Sequence, residues 1–244
     1  VPEDKDVLEA KGLVKVYKGK RVVDGIDMTL HREEIIGLLG PNGAGKTTTF
    51  YMIIGLARPD AGRVSLDGRD ITQEPMYIRA RRGINYLAQE PSVFRKLTVE
   101  ENLTAIMEGL KIPRHEIRAR SKRLLEELKI SHLARQRASD LSGGERRRLE
   151  ITRALITEPR FMLLDEPFAG IDPLALNEIN TIIRQLKERG IGIIISDHNV
   201  RETLKVCDAA YIINQGRILE CGTPEEIVSS TIARTVYLGD DFNL

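Results

Sequence analysis

GPNGAGKTT, residues 40–48, decides the fold. Gly40, Gly45, Lys46 and Thr47 satisfy the pattern G-x-x-x-x-G-K-[ST], and the flanks are what that pattern requires. Before it runs EIIGLL (34–39), a short continuous apolar stretch of the kind buried on both faces of a sheet; after it, a helix is expected from Lys46 to about Gly55. Glycines in such a turn let backbone N–H groups point inward around β- and γ-phosphates, and the helix N-terminus adds a favourable dipole. Lys46 supplies a point charge for those phosphates and Thr47 a hydroxyl for Mg²⁺. The loop therefore reads as a nucleoside triphosphate site.

Working outward, Val7–Tyr17 and Val22–Leu30 alternate apolar and polar residues around KGK (18–20), which predicts an antiparallel hairpin. Val64–Leu66 followed by Asp67-Gly68 predicts another at an edge. FMLL (161–164) and IGIII (191–195) are further buried-strand candidates, separated by a helix from about Pro173 to Arg189 that Gly190 ends. Strands alternating with helices imply a parallel sheet covered on both faces. Residues 91–140 differ, with long charged helical patterns, and read as a helical insert. Ala209–Asn214 and Arg217–Cys221 make a final hairpin, and TPEE (223–226) opens a helix with a capping box. The expected class is α/β: a mostly parallel, helix-flanked phosphate-loop NTPase core with an antiparallel β subdomain and an inserted helical subdomain. The boundaries are 1–90 and 141–230 for the core, 91–140 for the insert and 231–244 for a tail, all within one nucleotide-binding domain, 1–244.

Bulk composition narrows the function classes. The 244 residues are 41% hydrophobic, enough for a sizeable core. Lys and Arg number 37 against 36 Asp and Glu, so no net field favours nucleic acid or anionic lipid. The basic runs Arg79–Arg82, Arg114–Arg123 and Arg146–Arg148 are read as solvated faces. Cys207 and Cys221 form neither a disulfide framework nor a metal spacing, which suits a reducing cytosol. VPEDKD at the start is not a signal peptide, and no apolar run reaches the roughly 18 residues of a membrane span. Work at a membrane would need partner subunits to make the crossing.

Asp165 falls where a buried strand ends, the edge at which ligands sit in open α/β sheets, and is a candidate Mg²⁺ ligand. Glu166 projects to the other side of the strand, toward a position from which it can activate water. His198, at the end of IGIII, shares that edge and is placed to donate to a γ-phosphate. Gln89 is a neutral amide suited to ligate Mg²⁺ or orient water while leading into the insert. In LSGGE (141–145), Ser142 and Glu145 form a capping box, yet good helix formers would serve better between them than Gly143 and Gly144. Bare backbone at a helix N-terminus makes an anion site. Since the chain already encloses one triphosphate, the second site makes sense facing a nucleotide held by another copy of the chain in a two-fold dimer.

In their order GPNGAGKTT, Gln89, LSGGE, FMLLDE, AGID (169–172) and His198 resemble the motifs of ATP-binding-cassette ATPases, and the resemblance covers essentially the whole chain. It implies that Gly40, Pro41, Asn42, Gly43, Ala44, Gly45, Lys46, Thr47 and Thr48 hold ATP, with Thr47, Gln89 and Asp165 on Mg²⁺. It implies further that Tyr17 stacks on adenine, Glu166 is the general base and His198 senses the γ-phosphate. Ser142, Gly143 and Gly144 contact the partner's nucleotide, and Asp172 lies in the loop crossing the dimer interface. Glu145 stands where the family commonly has glutamine, and Pro91 follows Gln89 closely; neither touches the chemistry. Transmembrane partners would dock near Gln89–Leu97, with Phe94 and Arg95 foremost, though Phe94 equally suits core packing of the insert. DEPFAGIDP (165–173), DHNVRETL (197–204) and RTVYLGDDF (234–242) look most like lipopolysaccharide-export ATPases. Branched-chain amino-acid importers share the first two stretches, and a non-transport ATPase of the superfamily is a third reading. The location implied is peripheral, on the cytoplasmic face of the bacterial inner membrane.

Overall fold

The computed structural model describes residues 6–239 and Phe242. Five residues of the opening VPEDKD and four of the tail, Asp240, Asp241, Asn243 and Leu244, lie outside the described residues.

Two sheets organise the chain. The first is antiparallel, in the order β2-β1-β4-β5, from β1 (Val7–Tyr17), β2 (Lys20–His31), β4 (Ala61–Leu66) and β5 (Arg69–Asp70). The second has six strands, β10-β9-β3-β8-β7-β6. Its centre is built from the apolar runs: β3 (Ile35–Leu39), β7 (Phe161–Asp165) and β8 (Gly192–Ser196) are buried at every position. β9 (Ala209–Asn214) joins β3 in parallel, and β10 (Arg217–Gly222) closes that edge antiparallel to β9.

Side chains alternate between the faces with the period of two that a pleated strand imposes. Ile36, Leu38, Phe161, Leu163 and Ile194 face the core shared with the antiparallel sheet and with α1 (Lys46–Ile54). Ile35, Leu39, Met162, Leu164, Ile193 and Ile195 face the other core. That second core is continuous with α3 (Val99–Gly109) and α4 (Arg114–Glu127), through Leu103, Met107, Leu124 and Leu125. Each face is therefore covered by a different layer, as the buried runs require.

Among the elements not anticipated, α2 (Met76–Arg81), β6 (Ile84–Leu87) and α7 (Val200–Val206) bear on the site. α2 leads into β6, which pairs in parallel with β7 from Ile84↔Phe161 to Leu87↔Leu164. β6 sets where Gln89 leaves the sheet. α7 follows β8, its N-terminus capped by the Asn199 side chain. Other helices fall where expected: α5 (Gly143–Leu155), α6 (Pro173–Glu188) and α8 (Pro224–Ser229), the last with the predicted capping box at Thr223 and Glu226.

The basic runs need correction. Arg79 is 1% exposed, not solvated. Its Nη1 donates to Met52 O (2.8 Å) and Ile53 O (2.6 Å), Nη2 to Thr72 O (2.8 Å) and Nε to Glu74 O (2.8 Å). The guanidinium thus caps the last carbonyls of α1, which have no partner within the helix and carry its negative dipole end. Burial lowers the pKa of Arg79 to about 10, which still leaves it charged near neutrality. Arg147 is likewise buried. In α4, by contrast, Arg114, Arg118, Lys122 and Arg123 are exposed, as expected of a solvated face.

Candidate active site

The phosphate loop links β3 to α1 and needs glycine for steric reasons. At Gly40 a Cβ would lie 2.0 Å from Ile213 O, and at Gly45, with φ of 112°, 2.6 Å from Val22 O. Gly45 is also the N-cap of α1 and brings no capping side chain, so backbone alone faces the loop there. Lys46 Nζ donates to the carbonyls of Gly40 (2.6 Å) and Pro41 (3.1 Å). Burial pulls the ammonium's pKa down, while Glu166, Asp165 and Asp197 pull it the other way. Residues 42–48 line one cleft with Asp165, Glu166 and Ser196. The loop and the carboxylates, over a hundred residues apart in sequence, form one site.

Asp165 closes β7 and is 3% exposed. One carboxylate oxygen, Oδ2, accepts from the Tyr86 hydroxyl at 3.0 Å. Burial raises the pKa of Asp165, Glu166 adds to that, and the Tyr86 hydrogen bond opposes it. Glu166 leaves the strand with φ of 46°, its N–H donating to Ser196 O at 2.6 Å. A non-glycine residue in that left-handed region costs of order 1 kcal/mol, a strain typical of functional turns. The turn aims Glu166 at two groups. Gln89 Nε2 donates to Glu166 Oε2 at 2.9 Å, and His198 Nδ1 stands 3.5 Å from the same oxygen.

Parallel strands deliver all three residues to the carboxyl edge of the sheet, β6 for Gln89, β7 for Glu166 and β8 for His198. The His198 side chain is 63% exposed, and its Nδ1 is also 3.5 Å from Asp197 Oδ1. Asp197 is fully buried and braces both neighbouring turns, accepting from Phe168 N (2.9 Å) and Asn199 N (2.7 Å).

The LSGGE stretch forms the anticipated capping box at the start of α5. Ser142 Oγ accepts from Glu145 N (3.3 Å), and Glu145 Oε2 accepts from Ser142 N (2.8 Å). The glycines also answer to a constraint within the chain. A Cβ on Gly143 would come 2.7 Å from Gly170 O, and one on Gly144 would come 2.8 Å from the Ala175 Cβ. The AGID loop thus lies across the N-terminus of α5, while Ser142 and Gly143 stay exposed. Asp172 accepts from Ala175 N (3.1 Å) at the start of α6.

Tyr17 ends β1, 48% exposed, and pairs across the hairpin with Lys20. Lys20 lines a cleft with Asn42, Gly43 and Ala44, while the Lys15 ammonium lies 5.4 Å from the centroid of the Tyr17 ring itself. Phe94 is 46% exposed, which removes core packing as its role; the Arg153 guanidinium lies 4.7 Å from its ring centroid. Arg95 is exposed beside it.

Four functional neighbours went unnoticed in the sequence: Tyr86, Asp197, Arg147 and Glu150. Tyr86 sits three residues before Gln89, a spacing that strand alternation places on the opposite face. Asp197 directly precedes His198, and only the histidine had drawn notice. Arg147 and Glu150 were hidden in a charged helix pattern.

The donor set suits Mg²⁺, a hard cation that prefers oxygen and keeps few protein ligands beside phosphates and water. Asp165 retains an oxygen not engaged by Tyr86, Thr47 offers its hydroxyl, and the amide oxygen of Gln89 is free once its nitrogen faces Glu166. Among the described residues no group of three or more His, Cys, Asp or Glu side chains could hold a metal ion.

Comparison with known proteins gives this geometry its context. The chain is 52% identical to the lipopolysaccharide export system ATP-binding protein LptB of Haemophilus influenzae, over 98% of this chain and 99% of that protein. It is also 52% identical to the LptB protein of Escherichia coli K12, over 97% and 99%. A probable ABC transporter ATP-binding protein of Azorhizobium caulinodans is 55% identical, over 97% of this chain and 84% of that one. The crystal structure of the ADP conformation of an ATP-binding cassette of an ABC transporter superposes with a TM-score of 0.88 at 30% identity, covering 96% of this chain and 99% of that chain. The family described as ABC transporter matches residues 23–169, from within β2 through the phosphate loop and the LSGGE stretch to Ala169. With that match across more than half its length, and relatives half identical from end to end, the chain belongs to the ABC transporter family as an ATP-binding subunit.

Proposed function

We propose that this chain is the ATP-hydrolysing subunit of a lipopolysaccharide export transporter, working as a pair of copies beneath transmembrane partner subunits. The observation carrying the hydrolytic part is the meeting of Gln89 and His198 on one oxygen of Glu166, beside the phosphate loop. Lys46 and the loop N–H groups hold the β- and γ-phosphates. Glu166 removes a proton from a water oriented with help from Gln89. The water oxygen bonds to the γ-phosphorus as the bond to the β–γ bridging oxygen breaks, giving ADP and phosphate. His198, largely exposed and 3.5 Å from the same Glu166 oxygen, donates to the γ-phosphate. Thr47, Asp165 and Gln89 are the residues that would hold Mg²⁺, which would supply charge neutralisation on the phosphates. Ser142, Gly143 and Gly144 of one copy complete the site on the other, so loss of the γ-phosphate loosens the pair.

The export assignment rests on the two LptB relatives, which match nearly end to end. No helix among the described residues is long and apolar enough to cross a membrane, which fits a peripheral subunit on the cytoplasmic face whose partners make the crossing. Exposed Phe94 and Arg95 are the proposed docking contacts. Co-purification from native membranes tests the assignment: recovery of lipopolysaccharide bound to the attached membrane subunits supports export, and recovery of an amino-acid permease contradicts it.

A further inference from the structure

Arg147 and Glu150, one turn apart on α5, are 6% and 5% exposed and are paired at 2.9 Å (Nη1 to Oε2). Their remaining bonds reach two other elements. Arg147 Nη1 also donates to Ala88 O at 3.1 Å, and Nη2 to Asp165 O at 3.0 Å. Glu150 Oε1 accepts from Ser92 N at 3.0 Å. The pair therefore grips the Gln89 loop on both sides, at residues 88 and 92, and ties it to the backbone immediately before Glu166. Arg153 adds a third hold from the same helix, donating to Ser92 O at 2.6 Å. Neither Arg147 nor Glu150 lines the cleft around residues 42–48; both line the adjoining one, with Gln89, Glu166 and Gly143.

A buried ion pair is a poor device for stability alone, since well-packed apolar residues of similar volume often do as well or better. We propose that Arg147 and Glu150 are positioning residues that set Gln89 against Glu166 and make α5 a rigid link from Gly143 and Gly144 to the hydrolytic pair. This rests on Gln89 and Glu166 being that pair. The link gives one helix two ends: the N-terminus that meets the other copy's nucleotide and, a turn later, the clamp on the water-orienting loop.

The test uses the full-length protein carrying Arg147→Met together with Glu150→Met, which removes both charges and leaves neither unpaired. The double variant leaves Ala88 O, Asp165 O and Ser92 N without these partners and so should melt lower than the parent, but at temperatures where it is folded it should keep its KM for ATP within twofold. Its kcat should fall at least tenfold, and the Ser92 amide should exchange with solvent at least tenfold faster. A kcat within twofold of the parent, an unchanged Ser92 exchange rate, or a KM that rises in step with the fall in kcat each overturns the proposal. Should the double variant not fold, Arg147→Lys decides by the same split between kcat and KM, because an ammonium keeps the charge but cannot span Ala88, Asp165 and Glu150 together. If the parent binds ATP without hydrolysing it, the hydrolytic reading fails, and the exchange of Ser92 alone decides whether the clamp exists.

Discussion

Gln89 Nε2 lies 2.9 Å from Glu166 Oε2 and donates to it, joining residues from adjacent parallel strands at one edge of the sheet. This bond holds the carboxylate of the proposed base in place while leaving its second oxygen for water.

Glu166→Gln keeps the shape of the side chain and removes its capacity to take a proton. Steady-state phosphate release should fall by about 10²–10⁴-fold, the usual contribution of a positioned base. Equilibrium binding of ATP should stay within a few-fold of the parent. A variant hydrolysing at half the parental rate would assign the base elsewhere.

His198→Ala removes a mostly exposed ring whose ring contacts with protein groups are 3.5 Å from Glu166 and Asp197. Hydrolysis should drop at least 100-fold, while the melting temperature moves by no more than 1–2 °C, as expected for a surface substitution worth under about 0.5 kcal/mol. A large fall in melting temperature would mean that the ring is structural.

Asp165→Asn should abolish hydrolysis and stabilise the fold, with a definite pH dependence. Burial raises the folded-state pKa of Asp165 above its ordinary 3.8, so folded protein holds this proton more tightly than the unfolded chain does. Stability from this group is complete below 3.8 and is lost as pH rises through the folded value. The asparagine variant therefore melts higher than the parent at pH 7, and the difference shrinks toward zero as pH falls to about 4. Paired melting curves over that range check it; a difference that grows on acidification contradicts it.

Arg79→Met leaves Met52 O, Ile53 O, Thr72 O and Glu74 O without their guanidinium donor in a buried setting. Losing several buried charge-assisted bonds should cost about 3–5 kcal/mol, visible as a melting temperature lower by roughly 10 °C. Nucleotide affinity should fall little at temperatures where the variant is folded.

How far these features could be read beforehand depended on whether burial leaves a periodic mark. β3, β7 and β8 showed as unbroken apolar runs because both faces of the parallel sheet are covered. β6 did not, because Ile84–Leu87 (INYL) offers only four positions, with neither an unbroken apolar run nor an alternation, and exists by pairing with β7. Gly40, Gly45, Lys46 and Thr47 were legible because loop chemistry needs those residues at fixed spacing. The roles of Arg79 and Arg147 were not, since one inward-pointing arginine in a basic run looks like its solvated neighbours until its carbonyl partners are folded around it. Gly143 and Gly144 were noticed for their poor helix propensity, but the close approach of Gly170 and Ala175, which also requires them, is a tertiary fact.

The composite site is the claim on which the mechanism turns. Its most direct measurement is the distance from the Gly143 amide nitrogen to the nearest γ-phosphate oxygen in a structure of the E166Q protein with ATP. The account predicts a hydrogen bond of about 3 Å to the nucleotide on the other copy's phosphate loop. Gly143 and Ser142 facing solvent, with each ATP enclosed by a single chain, would contradict it.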